Sequence, residues 1–366
     1  MNKKTFNVGI IGVGDCAKRF APQATMHPGL RIVTAADIAP EEEKRPLLEN
    51  IVKHPVNYFR LTPDMHLPPS FFEGLNAVYI SSPNDSHLYQ TIESMQQGKL
   101  TVTEKPLVRN AGELLALEAV ARQGLPGYLF AQDHYAFKPA TIYAKEKVPE
   151  LAKQYGQITG IDVAFLEKGN LTGLPREKWL ISPMAGGGVM IDTGVHMATV
   201  LNQVAGARFT ECNRAEAFDF YPQYNFQCET GTYAEFTAEG QHIAAAQPGK
   251  PNVVMRIAKG VDQQQKKITF TFEKGGAKLM IDYDANVARI TTSAGETEEK
   301  ITGPHEYSLV ADEMYTILRD GRVPNLTHDS AKRALHPVFM YYQKLGGTSN
   351  MRLNKPDAGQ IARLVV

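Results

Sequence analysis

Phe6-Asn7-Val8-Gly9-Ile10-Ile11-Gly12-Val13-Gly14-Asp15-Cys16-Ala17 is the stretch on which the fold turns. Its first six residues read as a buried strand, and Gly12, Gly14 and Ala17 complete a G-x-G-x-x-A spacing around Asp15 and Cys16. Gly12 permits a tight turn, Gly14 lets the backbone approach a pyrophosphate, and the small Ala17 allows close helix–strand packing. The N–H groups that open the following helix then face the phosphates. Pro22 falls inside that helix and predicts a short or kinked element.

Working outward, Leu30 to Ala36 reads as a second strand ending in Asp37. An acidic residue there accepts hydrogen bonds from both ribose hydroxyls and repels a 2′-phosphate. Ile38 follows, where a phosphate-binding enzyme wants a cation, so NAD is expected over NADP. Glu41-Glu42-Glu43 reads as a solvated helix start, and a short strand is expected near Tyr58. Leu75 to Ile80 is a further strand, Ser81-Ser82-Pro83-Asn84 a turn, and Asp85 to Gln97 a helix stopped by Gly98.

Leu100 to Thr103 is the next strand. It leads into Glu104-Lys105-Pro106, where the proline ends it and leaves Lys105 at its carboxyl end. In an open α/β sheet that is the edge where ligands bind, although an isolated lysine there also reads as a surface charge. Ser82, Pro83, Asn84 and His87 belong to the same edge and are expected to line the cofactor. For His87 a structural place at the helix start fits equally well. A helix over Ala111 to Gln123 and a strand over Tyr128 to Ala131 complete an α/β Rossmann domain, a doubly wound parallel sheet spanning residues 1–133.

After residue 133 the pattern changes. Seven segments between Gly156 and Thr292 read as strands with few helices between them, which predicts a large, mostly antiparallel open sheet in an α+β domain over 134–346. Helices return at His305 to Arg319 and from near Ser330 to Gly346; the tail, 347–366, has no assignment. Within this domain stands Gly186-Gly187-Gly188-Val189-Met190-Ile191-Asp192-Thr193-Gly194-Val195-His196. If Val189 opens a helix, Asp192 and His196 are i and i+4 neighbours on one face, with the carboxylate placed to fix the imidazole or to share a substrate hydroxyl. Trp179 is the only tryptophan, and reads as ordinary core on its own.

A chain of 366 residues predicts about two domains. Lys plus Arg and Asp plus Glu both number 39, so charge gives no reason to expect a nucleic acid or an anionic membrane as partner. Cys16, Cys212 and Cys228 are widely spaced, which predicts no thiolate metal site and suits a reducing cytoplasm. No apolar run approaches the roughly 20 residues of a membrane span, and the N-terminus lacks a signal-peptide pattern.

Together these motifs resemble the glucose–fructose oxidoreductase / inositol dehydrogenase / MocA (Gfo/Idh/MocA) family, from residue 6 to about 200. The resemblance implies NAD(P)-dependent chemistry on a carbohydrate or cyclitol and a homo-oligomer, dimer or tetramer. It also implies a catalytic set of Lys105, Asp192 and His196. Asp15, Cys16, Ile38 and Glu104 join the cofactor-binding residues by the same analogy, and Trp179, Asp192 and His196 the substrate-binding ones. One segment departs: family members often carry a Tyr-Asn-Arg-Arg-Phe-x-Pro-like run where this chain has Gln132-Asp133-His134-Tyr135-Ala136-Phe137-Lys138-Pro139. Its Asp-His-Tyr-x-x-Lys resembles a segment of glucose-6-phosphate dehydrogenases, which implies that His134, Tyr135 and Lys138 hold a sugar phosphate; a polar hinge fits as well. Two rivals are an NAD-dependent glycosidase of the family and a non-catalytic sugar-sensing regulator. The joint presence of Lys105 and His196 argues against the second.

Overall fold

The computed structural model describes residues 4–62, 66–169, 187–221, 228–247 and 249–347. They fall into two compact units, one built from residues 1–137 and 304–331 and the other from 138–303 and 332–366.

In the first unit the strands are β1 (Phe6–Ile11), β2 (Leu30–Asp37), β3 (Asn57–Arg60), β4 (Ala77–Ile80), β5 (Leu100–Thr103) and β6 (Tyr128–Ala131). Helices α1 (Asp15–Met26), α2 (Glu41–Val52), α3 (Asn84–Gln96) and α4 (Ala111–Ala121) alternate with them. All strands are parallel, in the order β3-β2-β1-β4-β5-β6. Central strands of such a sheet are covered on both faces, which is why β4 and β5 are buried at every position. The order reverses between β1 and β4, and in doubly wound sheets the ligand crevice opens at that reversal.

Helix α1 continues past Pro22 to Met26 and is not cut short there. It buries Ala17, Phe20, Ala21 and Ala24 in the core, and Phe20 stacks on Tyr79 with ring centroids 4.0 Å apart. That packing outweighs the single backbone bond the proline removes.

The second unit contains a helix that the strand-rich pattern hid, α5 (Pro139–Tyr155), then β7 (Ile158–Lys168) and α6 (Val195–Ala205). After these come β8 (Arg208–Phe218), β9 (Gly231–Glu239), β10 (Val253–Val261), β11 (Gln265–Phe272), β12 (Lys278–Asp282), β13 (Val287–Thr292) and β14 (Gly295–Lys300). They form one eight-stranded sheet, β14-β13-β12-β11-β7-β10-β9-β8, in which only β7 and β10 pair in parallel. Strand β14 was not expected, because its Glu-rich sequence carries no apolar alternation and all its residues are exposed. Core-facing positions are Ile161, Val163 and Phe165 on β7, Met255 and Ile257 on β10, and Ile268 and Phe270 on β11.

The last elements among the described residues are α7 (Glu306–Asp320) and α8 (His328–Lys344). The compact units do not follow a single cut near residue 133. The first continues to 137, and residues 304–331 return to it. The reason is the apolar stripe of α7: Tyr307, Val310, Ala311, Met314 and Ile317 are part of the Rossmann core.

Candidate functional site

In the first unit, the loop after β1 and the loop after β4 meet at the reversal of strand order. Gly12 has φ +83°, and a Cβ there would lie 2.5 Å from the Ser82 backbone nitrogen, so both conformation and space require glycine. Ser81 locks the two loops by donating from its backbone N–H to the Ile11 carbonyl at 2.8 Å and from Oγ to the Gly12 carbonyl at 2.8 Å. A Cβ built on Gly14, by contrast, meets nothing within 4 Å. Gly14 caps α1 without any side-chain hydrogen bond, and Asp15, Cys16 and Ala17 open the helix behind it. Open space above an uncapped helix start is what a pyrophosphate requires.

Asp37 stands at the end of β2. Its Oδ2 accepts from the Val13 N–H at 2.6 Å and its Oδ1 from the Ala39 N–H at 2.9 Å. A carboxylate has about four acceptor sites. Two backbone bonds therefore fix its orientation and leave capacity for ribose hydroxyls. Ile38 beside it is 54% exposed, an apolar surface next to that carboxylate.

The turn after β4 starts α3 with Pro83 as its cap residue and Asn84, buried, as its first member. Ser82 Oγ donates to Gln90 at 2.6 Å. His87 is buried, and its two ring nitrogens lie 2.8 Å from the carbonyl oxygens of Pro106 and Ser82. Burial lowers its proton affinity, so the neutral ring donates to one of these carbonyls and packs between the Ser82 turn and the Lys105–Pro106 turn.

Glu104 and Lys105 follow β5. The Glu104 side chain turns inward, where Tyr79 donates to its Oε1 at 2.5 Å and Tyr307 to the same oxygen at 3.2 Å. Burial pushes this carboxyl up to about 7, and the Tyr79 hydrogen bond and the nearby Lys105 charge pull against that rise. Burial and the neighbouring Glu104 push the Cys16 thiol up to about 12, which disfavours the thiolate. Glu104 is therefore an interior residue, whereas Lys105 is only half-buried at the carboxyl edge of the sheet. The sequence reading missed Tyr79 and Tyr307. A phenol in the apolar strand Ala77–Ile80 was the available signal, since a buried hydroxyl needs a partner.

His134 and Tyr135 lie in a single 3₁₀ turn, His134–Phe137. The His134 ring stacks on Tyr307, with centroids 5.5 Å apart. Tyr135 is buried and its N–H donates to Asp133. Lys138 is the cap residue of α5, at the start of the second unit. Trp179 and Gly186 lie outside the described residues.

In the second unit, helix begins at Val189 as expected, but residues Met190–Gly194 form a π-helical turn before α6 takes over. Such widened turns occur frequently at functional sites. Gly188 precedes it with φ +110°, and a Cβ there would lie 2.6 Å from Glu229 Oε2 and from the Tyr342 hydroxyl. Glu229 Oε1 accepts from the Met190 N–H at 3.0 Å and from Tyr342 at 2.7 Å. A remote carboxyl thus caps the helix start, and burial pushes it up to about 7.

Asp192 and His196 are both buried, at 5% exposure each. The Asp192 carboxylate has a partner the sequence reading did not supply: Lys259 on β10 donates to its Oδ2 at 2.5 Å. Lys259 also lies 3.1 Å from Glu167 on β7, which in turn lies 2.7 Å from Lys266 on β11. Burial opposes the charge on both central groups, and the charged neighbours overcome it. Glu167 is held down to about 2, and Lys259 well above the usual ammonium range.

Residues 6–124 match the family model described as an oxidoreductase family with an NAD-binding Rossmann fold (Gfo/Idh/MocA). A 1,5-anhydro-D-fructose reductase of Ensifer adhaerens is 26% identical over 198 residues, covering 54% of this chain and 55% of the relative. A 1-carboxy-3-chloro-3,4-dihydroxycyclohexa-1,5-diene dehydrogenase of Comamonas testosteroni is 22% identical over 210 residues, 56% of this chain and 48% of the relative. The chain thus spans about half the length of these curated relatives. Among solved structures, an aldose-aldose oxidoreductase of Caulobacter crescentus, complexed with glycerol, aligns with TM-score 0.74 at 17% identity over 93% of this chain and 97% of that one. A 3-ketoreductase of Actinomadura kijaniata, solved with NADP and TDP-benzene, aligns with TM-score 0.72 at 17% identity over 97% of this chain and all of the other. These two extend the likeness in fold to nearly the whole chain. Over residues 6–124 the chain is thus similar to the Gfo/Idh/MocA oxidoreductases, and beyond them the likeness is one of fold.

Proposed function

We propose that this chain is a Gfo/Idh/MocA oxidoreductase and that it moves a hydride between NAD and a ring carbinol of a sugar or cyclitol. One observation supports this above the others. At the reversal of strand order, an open glycine turn, a backbone-fixed Asp37 and the half-buried Lys105 occupy the carboxyl ends of neighbouring strands. Gly12, Gly14, the start of α1, Asp37, Ile38 and the Ser82–Asn84 turn would hold the dinucleotide. When bound, the nicotinamide supplies the two-electron acceptor.

The chain's own residues supply proton handling and charge stabilisation. His196 takes the hydroxyl proton, a task suited to an imidazole near neutrality. Lys105 hydrogen-bonds the same oxygen and stabilises the alkoxide as it develops. Asp192 orients the reacting hydroxyl or the imidazole. His134, Tyr135 and Lys138 bind the substrate through its phosphate, if it carries one. Trp179 is assigned to substrate binding by the family resemblance alone.

The preference for NAD rests on Asp37, which a 2′-phosphate would meet as a like charge; the related 3-ketoreductase was solved with NADP. Asp37→Ala should lower the NAD-over-NADP ratio of kcat/KM by about tenfold or more. An unchanged ratio would remove Asp37 from that role. No helix among the described residues is long and apolar enough to cross a membrane. The thiols are free, which suits the cytoplasm, and assembly is proposed as a dimer or tetramer of this chain.

The test is NADH absorbance across a panel of free and phosphorylated sugars and inositols. It is run with the wild type, Lys105→Ala and His196→Ala. Turnover on one compound, abolished in both variants while NAD still binds, is the expected result. Near-wild-type rates in both would end the proposal. Activity confined to unphosphorylated compounds would end the phosphate role of His134, Tyr135 and Lys138.

A further inference from the structure

Three adjacent strands of the second sheet break their core-facing pattern at the same end. On β7 the inward series Ile161, Val163, Phe165 continues with Glu167, and on β10 Val253, Met255, Ile257 continues with Lys259. On β11, Phe272, Phe270, Ile268 continues with Lys266. Lys259 and Glu167 are register partners. The result is an alternating row, Lys266–Glu167–Lys259–Asp192, with successive separations of 2.7, 3.1 and 2.5 Å. Charges at positions where the pleat demands apolar side chains cost desolvation, so a row of them calls for a reason beyond packing.

Other titratable groups near Asp192 in the second unit are His196 on the following helix, Arg256 on β10, which pairs with Asp162, and Glu229, which caps the helix start with Tyr342. Glu229 binds backbone and phenol, not the row.

We infer that Lys259, steadied by Glu167 and Lys266, is a positioning residue that fixes the Asp192 carboxylate as a pre-paired acceptor and thereby sets the proton affinity of His196. The inference rests on the function proposed above, in which His196 takes the proton. A carboxylate already paired with an ammonium is a weak base and a good hydrogen-bond acceptor. It orients a hydroxyl or an imidazole without competing for the proton. It also attracts an imidazolium less than an unpaired carboxylate does, so removal of Lys259 raises the affinity of His196 for its proton.

The experiment is a pH titration by NMR of the full chain labelled with ¹⁵N-histidine, the His196 signal being assigned by its loss in His196→Gln. In Lys259→Met the His196 midpoint should rise by about half a unit or more. It should return toward wild type in Lys259→Arg, and the rise should vanish in Lys259→Met combined with Asp192→Asn. An unmoved midpoint in folded Lys259→Met, or a rise that persists without the Asp192 charge, overturns the inference. Should Lys259→Met not fold, Lys259→Gln carries the same comparison, because its amide still donates to Asp192 without a charge. The readout needs no substrate. A flat titration would remove Lys259 alone and leave the turnover test of Lys105 and His196 standing.

Discussion

Glu104 in the first unit and Glu167 in the second are the same side chain, taken out of water in two different ways. Glu104 is met mainly by two phenols, and its carboxyl stands at about 7. Glu167 is met by two ammonium groups, and its carboxyl stands at about 2. Neutral donors soften the desolvation of a carboxylate without cancelling it, whereas close cations reverse it. The proposed reaction uses the two settings differently. In the first unit the neighbouring Lys105 is the working group, and in the second the charge row hands its polarity on to Asp192.

The largest effect is expected where the two settings touch chemistry. Lys105→Ala should lower kcat by about 10²- to 10⁴-fold, since it removes both the alkoxide donor and the cation that holds Glu104 down. A carboxyl stretch that shows Glu104 rising further in the variant would tie the two together, and an unmoved band would separate them. Next, Lys259→Met should destabilise the fold by about 2 kcal/mol, because it leaves Asp192 and Glu167 buried with one cation fewer. Denaturant melts of the single variant and of its combination with Asp192→Asn check this, the double variant recovering part of the loss.

A smaller effect separates the two settings by pH. A carboxyl raised in the folded state stabilises fully below its unfolded value and loses that contribution as pH rises through its folded one. For Glu104 and Glu229 the window is therefore about 4.5 to about 7. Glu167 runs the other way, stabilising above about 4.5 and losing its contribution as pH falls toward about 2. Stability measured from pH 6 to 8 should fall by about 1 kcal/mol for each raised group, and Glu229→Gln should flatten that slope by one group's share. Smallest is Tyr307→Phe. It should cost about 1 kcal/mol and extend the Glu104 window upward, seen as a steeper pH dependence of the melting temperature.

Much of the first unit was legible because a parallel sheet writes its strands as local apolar runs, and its ligand loops as local glycine spacing. The end of β2 at Asp37 and the place of Lys105 after β5 follow from neighbours in sequence. What escaped was long-range. The partners of Glu104 come from β4 and from α7, 203 residues away in the case of Tyr307. The partner of Asp192 comes from β10, 67 residues away. A lysine closing an alternating strand marks a core-facing charge, but only the register of β7 against β10 shows that Glu167 answers it. Helix α5 was missed because Pro149 and three interspersed lysines blur its apolar stripe, and α1 was expected to be short or kinked because Pro22 weighs heavily in sequence and little against a packed face.

The return of α7 to the first unit bears on how a growing chain matures. A ribosome delivers residues 1–137 long before 304–331, yet Tyr307, Val310, Ala311, Met314 and Ile317 fill that unit's core. Until they emerge, Phe20 and Tyr79 border an unfinished hydrophobic wall and Glu104 lacks one of its two phenols. The nucleotide-binding unit is thus begun well before it can be finished, and residues 1–137 alone leave an open core, not a free-standing domain.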